Sequence, residues 1–350
     1  MDQFFLLPFL ISLVLTFCVV RFSSIHIKFS SDSIKGPQKI HRHNVPRIGG
    51  GIIFLVFLIY AYLFRPIFLD FNPKYFIVAA IPVFLGGITE DITKKVSVTS
   101  RLILSFSSSI LGYFLYGAII NRTGLVIFDD LLLILPELSI LFTLIAVGGL
   151  CHSINIIDGM NGIILGYAII ILFFLFYSAN EIRFYQLSII CLIFMGGSMG
   201  VLIFNFPFGK IFSGDGGSYL LGFVIAEVSI LLVAKSQTIS AFFPVALLFY
   251  PIIETTFTVV RRIYTKKNPF LPDSLHLHSL LYKFLQQKFP IKNDNLQNAL
   301  VAPIIWCWSL INGFVLIHFL PWTHNHLFVF GVNCLIYLSL YISLYKRTNK

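Results

Sequence analysis

The sequence predicts an all-α, polytopic integral membrane protein of about eleven transmembrane helices, with its N-terminus outside and its C-terminus in the cytoplasm. Three observations predict it. Hydrophobic residues make up 57% of the 350 and charged residues 11%, with a mean hydropathy of +0.88. A water-soluble domain of that length could not cover so much apolar surface. Apolar runs close to the ~20 residues that cross a bilayer recur along the whole chain. Lysine and arginine are unevenly shared between the connections, with 20 of the 25 on one side when eleven spans alternate. The positive-inside rule makes that side cytoplasmic.

The runs lie near 4–22, 49–64, 75–92, 102–118, 138–155, 162–178, 185–205, 217–234, 240–260, 301–320 and 326–345; merging two neighbours would leave ten. The first has no small-residue cleavage site after it and reads as an anchor, not a removed signal peptide. A basic connection, 23–48, leads to the second. The third closes in Gly86-Gly87-Ile88-Thr89-Glu90-Asp91, and connection 92–101, with Lys94, Lys95 and Arg101, leads into the fourth. The fifth and sixth are joined by Asn155-Ile156-Ile157-Asp158-Gly159-Met160-Asn161-Gly162. After Asn205 and connection 205–216, Phe212-Ser213-Gly214-Asp215-Gly216-Gly217-Ser218 opens the eighth. The ninth ends in Arg261-Arg262 and gives way to the basic connection 261–300, which carries Asp273, His276 and His278. A basic tail follows the last. The whole reads as one integral domain, 1–350, with cytoplasmic loops 23–48, 92–101, 205–216 and 261–300. The net charge of +10 is accounted for by this topology and by attraction to anionic membrane lipids, and implies no nucleic acid. The five cysteines are scattered without CxxC spacing and read as small membrane hydrophobes.

Seven carboxylates fall on the predicted cytoplasmic side, most in short motifs at the ends of apolar helices. Glu90 and Asp91, taken alone, are a solvated helix end; beside Gly86-Gly87, Lys94 and Arg101 they also suit a site holding a cation and phosphates. The Asp158 turn is built of turn formers, yet it offers a carboxylate and two amides as oxygen donors for a hard cation, without EF-hand spacing. Asp215 sits in a glycine-rich turn before a helix, where free N–H groups attract anions and a carboxylate can hold Mg²⁺ against them; no Walker lysine follows. His276 and His278 read as a phosphate-facing pair in a basic loop more readily than as zinc ligands. Glu227 and Glu254 lie within predicted spans, where a charge at mid-bilayer costs ~2.5–3.5 kcal/mol. They face the bundle interior, sit near an end, or carry a proton.

In this order and on one face, these motifs resemble those of the polyprenyl-phosphate N-acetylhexosamine-1-phosphate transferases of the WecA/MraY type. The match runs from about Arg42 to Leu281. It takes in His43–Gly50, Glu90-Asp91, the Asn155–Gly162 turn, Phe204-Asn205 with Phe212–Ser218, Pro251-x-x-Glu254 with Arg261-Arg262, and Pro269–Leu281. Three positions depart from the family's pattern. Glu90 stands where the first Asp of an Asp-Asp pair is usual, Asn161 replaces the second acid of the turn, and Ser279 replaces a third histidine. These departures favour the branch that starts O-antigen or other surface polysaccharides over the phospho-MurNAc-pentapeptide transferase of peptidoglycan synthesis.

The resemblance implies a glycosyltransferase of the bacterial cytoplasmic membrane. It would transfer GlcNAc-1-phosphate, or a related sugar phosphate, from a UDP-N-acetylhexosamine to undecaprenyl phosphate, releasing UMP at the cytoplasmic face. It implies Mg²⁺, or Mn²⁺ in its place, at Asp215 and Asn161. Asp91, Glu90, Asp158, His276 and His278 would form the catalytic set. Lys94, Arg101, Asn155, Asn205, Arg261, Arg262 and Asp273 would bind substrate. It allows a homodimer. Whether Asp91 takes a proton from the lipid phosphate or positions it stays open. The competing class is a secondary transporter, for which Glu227, Glu254 and eleven spans speak. Transporters place charge near the midplane, often with inverted repeats; here the acids gather at one face and no repeat shows.

Overall fold

The computed structural model describes residues 2–25, 45–63, 72–269, 271 and 273–348. Most of the predicted loop 23–48, with His43 and Asn44, lies outside the described residues, as do Arg65 and Pro272. The described chain is helical, without strands: α1 (Gln3–Arg21), α2 (Gly49–Leu63), α3 (Pro73–Thr93), α4 (Val98–Tyr116), α5 (Val126–Ile134), α6 (Pro136–Ile157), α7 (Ile163–Glu181), α8 (Tyr185–Asn205), α9 (Gly214–Lys235), α10 (Phe242–Leu247), α11 (Phe249–Tyr264), α12 (Leu277–Lys288), α13 (Asp294–Ala299), α14 (Val301–Ile317) and α15 (Thr323–Thr348).

Nine candidate spans are long and apolar enough to cross a membrane among the described residues, with α13 and α14 counted as one. The other two of the eleven expected runs appear differently. The second is the 15-residue α2. The run at 240–260 breaks at Leu248 into α10 and α11. Pro251 has no N–H to give the Leu247 carbonyl four residues back, and its ring crowds that carbonyl. Three helices were not expected. In α12 the signal was present: Leu277, Leu280, Leu281 and Phe284 repeat at helical spacing, and the first three are buried.

Local chemistry sets the helix ends that matter for the site. Ser97 caps α4, its Oγ accepting from the Ser100 N–H at 3.0 Å. Asn72 and Pro73 start α3 in the same way, with Asn72 Oδ1 accepting from the Lys74 N–H at 3.1 Å.

The connections sort into two ends of the bundle. At one, Ser240 N–H donates to the Leu320 carbonyl, and Arg122 donates to the carbonyls of Val233, Ser236 and Ile239. The N-terminal residues are at this end too, since Tyr60, near the far end of α2, donates to the Gln3 carbonyl. At the other end the motif-bearing turns meet, and the C-terminus of α15 comes to it, with Arg347 over the Phe284 ring. The two termini therefore lie at opposite ends.

Helix α9 is the axis of the packing. Twenty of its 22 residues are buried, against α2, α3, α4, α6 and α7. Its first turn is gripped by glycines. A Cβ on Gly50 would lie 2.1 Å from the Gly217 nitrogen, and one on Gly87 2.5 Å from the Asp215 carbonyl. Gly50 and Gly87 thus admit a backbone, bringing α2 and α3 against the start of α9.

Candidate active site

The site is built around the N-terminus of α9. A helix start leaves N–H groups without partners, and here a distant carboxylate takes two of them. Asp91, on the last turn of α3, accepts from the Asp215 N–H through Oδ1 at 2.9 Å and from the Gly216 N–H through Oδ2 at 2.8 Å. It is 1% exposed. Arg47 joins the pair, with Nε 3.2 Å from Asp91 Oδ1 and an NH2–Oδ1 bond of 2.8 Å to Asp215. Arg101, from the first turn of α4, pairs with the other oxygen of Asp215. Two carboxylates and two guanidiniums therefore share one corner, anchored where the 45–50 segment bonds to Phe212 and Ser213.

The Asp158 turn flanks this corner. Ser213 Oγ donates to Asp158 Oδ2 at 2.8 Å. Asp158 lies just past the end of α6, where burial pushes its carboxyl up to about 6 against the Ser213 bond and the Arg47 charge. Asn155 donates to Ser218 Oγ at 2.8 Å and so ties α6 to α9. Asn161 and Asn205 serve the turns. Asn161 donates its N–H to Asn298 and its amide to the Pro207 carbonyl, while its Oδ1 is buried without a hydrogen bond. Asn205 accepts from the Gly162 N–H and donates to the Ile211 carbonyl.

A second cluster stands on the other side of Gly159. His278 Nε2 is where a Cβ on Gly159 would sit, 2.6 Å away. His276 and His278 stack with centroids 5.3 Å apart and planes 10° from parallel. Glu254, fully buried on α11, holds His276 Nδ1 at 3.0 Å and accepts from the Leu277 N–H at 3.0 Å. Burial depresses His278 to about 4, and the neighbouring His276 pushes the same way; His278 is neutral at cellular pH. Arg261 pairs with Asp273, with Arg262 3.7 Å off. Burial opposes it, but the Arg261 hydrogen bond and charge hold the Asp273 carboxyl below the usual carboxylate range. Arg262 Nε also donates to the Asn268 carbonyl at 2.8 Å, which fixes the course of this loop.

The structure thus brings Asp91, Asp215, Arg101 and Asp158 together and joins them through Gly159 to His276 and His278. Glu90 points elsewhere: consecutive helical residues diverge by ~100°, and Glu90 Oε2 accepts from the Val96 N–H at 2.7 Å, bracing the turn into α4. Lys94 ends α3 in a left-handed conformation, φ 57°. Sequence reasoning missed Arg47 and Ser213. Arg47 could have been found from its place two residues before the glycine run of α2. Nothing in sequence marks Ser213 as Asp158's partner. Glu227, the other acid within a span, is fully buried beside Gly112, far along α9 from Asp215.

The chain is similar to known proteins of one family. The sequence pattern of Glycosyl transferase family 4 matches residues 74–233. The Undecaprenyl-phosphate alpha-N-acetylglucosaminyl 1-phosphate transferase of Thermotoga maritima is 30% identical over 249 residues, 69% of each chain. A Bacillus subtilis protein named "Probable undecaprenyl-phosphate N-acetylglucosaminyl 1-phosphate transferase" is 29% identical over 290 residues, 80% of this chain and 76% of that one. The Phospho-N-acetylmuramoyl-pentapeptide-transferase of Staphylococcus carnosus is 24% identical over 303 residues, 80% of this chain and 87% of that one.

Proposed function

The chain belongs to glycosyl transferase family 4, and from that premise we propose that it transfers N-acetylglucosamine 1-phosphate from UDP-GlcNAc to undecaprenyl phosphate at the cytoplasmic face of a bacterial inner membrane. An oxygen of the lipid phosphate bonds to the phosphorus that carries the sugar, the bridging P–O bond breaks, and UMP leaves with the bridging oxygen. The observation that supports this most is the corner formed by Asp91, Asp215, Arg47 and Arg101 at the start of α9. Two anions must be brought together there, so charge neutralisation and alignment are the main needs. The guanidiniums that now face Asp215 are the groups that would turn to phosphate oxygens.

Mg²⁺ fits the donor set. A hard cation of this kind is held by one or two carboxylates and fills its shell with phosphate oxygens and water. Asp215 and Asp158 approach the same turn through Ser213, and no group of three His, Cys, Asp or Glu is placed to hold an ion unaided among the described residues. Asp215 would hold Mg²⁺ with Asp158, and the ion would draw charge from the diphosphate. Asn161 would act on it through the turn that it pins to Asn298. Asp91 fixes the helix start and hence Asp215; with both oxygens already accepting hydrogen bonds, it is a positioning group in this reading, not a base. Neutral His278, with His276 held by Glu254, would face the sugar phosphate. Asn155, Asn205, Arg261, Arg262 and Asp273 shape the turns and loop around it, and Lys94 and Glu90 the entry beside α4.

The product suits the first step of O-antigen or another surface polysaccharide. Against the peptidoglycan alternative stand Glu90, Asn161 and Ser279, which depart from its pattern; identity separates the two little, 24–29% against 29–30%. The deciding experiment is exchange with purified protein: labelled UMP should enter UDP-GlcNAc when undecaprenyl phosphate and Mg²⁺ are both present. No exchange with any UDP-N-acetylhexosamine would refute the proposal, and exchange confined to the UDP-MurNAc-pentapeptide would favour the peptidoglycan reaction.

A further inference from the structure

Arg101 has more donors than Asp215 uses. One terminal nitrogen meets the carboxylate, while its buried Nε has no hydrogen-bond partner. The guanidinium lies over the ring of Tyr219, 5.4 Å from the centroid. Tyr219 is one helical turn beyond Asp215 on α9, so ring and carboxylate share a face of the helix. The ring is 1% exposed, and its hydroxyl is 2.9 Å from His152 Nδ1. The two rings stand edge to face, with centroids 5.0 Å apart at 83°. His152 lies on α6, three residues before Asn155, so α6 holds two successive residues of α9, Ser218 and Tyr219.

We propose that Tyr219, its ring fixed by His152, is the platform that presents Arg101 to the diphosphate of the nucleotide sugar, which makes Tyr219 and His152 positioning residues for that substrate. The inference rests on the transferase reading above. A guanidinium held by its flat face keeps its edge N–H groups for an anion. Held by Asp215 alone, it would be tethered through the donors that the diphosphate needs. When the diphosphate arrives, Arg101 exchanges one anion for another, and the ring contact survives because it uses no N–H. The imidazole keeps the phenol from rotating its ring out from under the guanidinium. With the phenol donating to Nδ1, the imidazole carries its own proton on Nε2, which is buried without a partner.

The test uses the full-length protein in detergent, with UDP as a probe that does not depend on the sugar. Tyr219→Leu removes the platform, and the affinity for UDP should fall about 2- to 30-fold, the range of a cation–π contact. The KM for UDP-GlcNAc should rise by the same factor, with the KM for undecaprenyl phosphate moving less than about twofold. Tyr219→Phe keeps the ring and should lose less than Tyr219→Leu; His152→Ala, which leaves the phenol unanchored, should resemble Tyr219→Phe. In an Arg101→Gln background, Tyr219→Leu should add nothing. A residue that only stabilises the fold would lower the active fraction and leave UDP affinity unchanged. Wild-type UDP affinity in Tyr219→Leu, or an undiminished loss in the Arg101→Gln background, overturns the inference. If Tyr219→Leu does not fold, Tyr219→Met takes its place under the same criteria. A wild-type protein that neither binds UDP nor exchanges UMP would instead refute the transferase reading itself.

Discussion

Replacing Asp91 by Asn separates its two conceivable roles. In the structure both oxygens accept backbone N–H groups, from Asp215 and Gly216, and Arg47 faces one of them. An amide offers one acceptor, so one of those N–H groups must meet an NH₂. A hydrogen bond to a charged group contributes about 1.5–3 kcal/mol, and the Arg47 pairing is weakened as well. A loss near 3 kcal/mol is roughly a hundredfold in rate if it falls wholly on the transition state. Part of it falls on the fold instead, so kcat/KM for undecaprenyl phosphate should drop about 10- to 100-fold. The drop should persist undiminished at pH 8 and 9, because the missing charge is still missing where the phosphate is fully ionised. A phosphate monoester has its second pKa near ~6 and is about nine-tenths ionised at pH ~7, so removing its last proton accounts for little of the rate. If Asp91 were the base, the mutant-to-wild-type ratio would climb about tenfold per pH unit below the phosphate pKa and level off near one; that profile would refute the positioning role. Adding Glu90→Gln should deepen the defect little, since Glu90 Oε2 is engaged by the Val96 N–H.

Three further outcomes are expected. Asp215→Asn, nearly isosteric but without its charge, should yield inserted protein with under about 1% of wild-type exchange, and normal turnover at saturating Mg²⁺ would contradict the metal assignment. His278 has its pKa depressed from 6.5 to about 4. The stability this carries is fully present above pH ~6.5 and is lost as pH falls toward 4, by about 3 kcal/mol in all; thermal unfolding at pH 7.5 and 5 should show His278→Asn less acid-sensitive than wild type. A single cysteine at the exposed position Thr265, with Cys18, Cys151, Cys191, Cys307 and Cys334 replaced, should react with an impermeant maleimide only in opened cells. Labelling of intact cells would reverse the orientation.

Much of the site was legible because its residues mark themselves locally. Asp91 and Asp215 each sit among glycines at the end of an apolar run, and in a chain with few charges such positions stand out. What the sequence could not show is where a glycine-flanked carboxylate points. The glycines near Asp91 suggested room for backbone or ligand; the structure fills it with Leu104 at Gly86 and with the first turn of α9 at Gly87, so Asp91 becomes a cap for that helix. Nine of the eleven runs appear as candidate spans among the described residues, while α2 is described over 15 residues and proline divides the run at 240–260 at Leu248, because a hydropathy pattern is blind to a missing N–H.

Glu254 shows the limit most clearly. Read along the chain, a carboxylate in an apolar run is an energetic anomaly that suits a transporter as well as an enzyme. In three dimensions the break at Leu248 makes α11 a separate helix ending at Tyr264, and the chain returns so that Leu277 offers its N–H to one oxygen of Glu254 and His276 its imidazole to the other. The carboxylate is then accounted for by partners 22 and 23 residues away. It serves the cluster that meets the Asp158–Gly159 turn, not a path through the membrane. The feature that spoke most strongly for a transporter becomes, once its partners are known, a support for the histidines beside the proposed phosphate site.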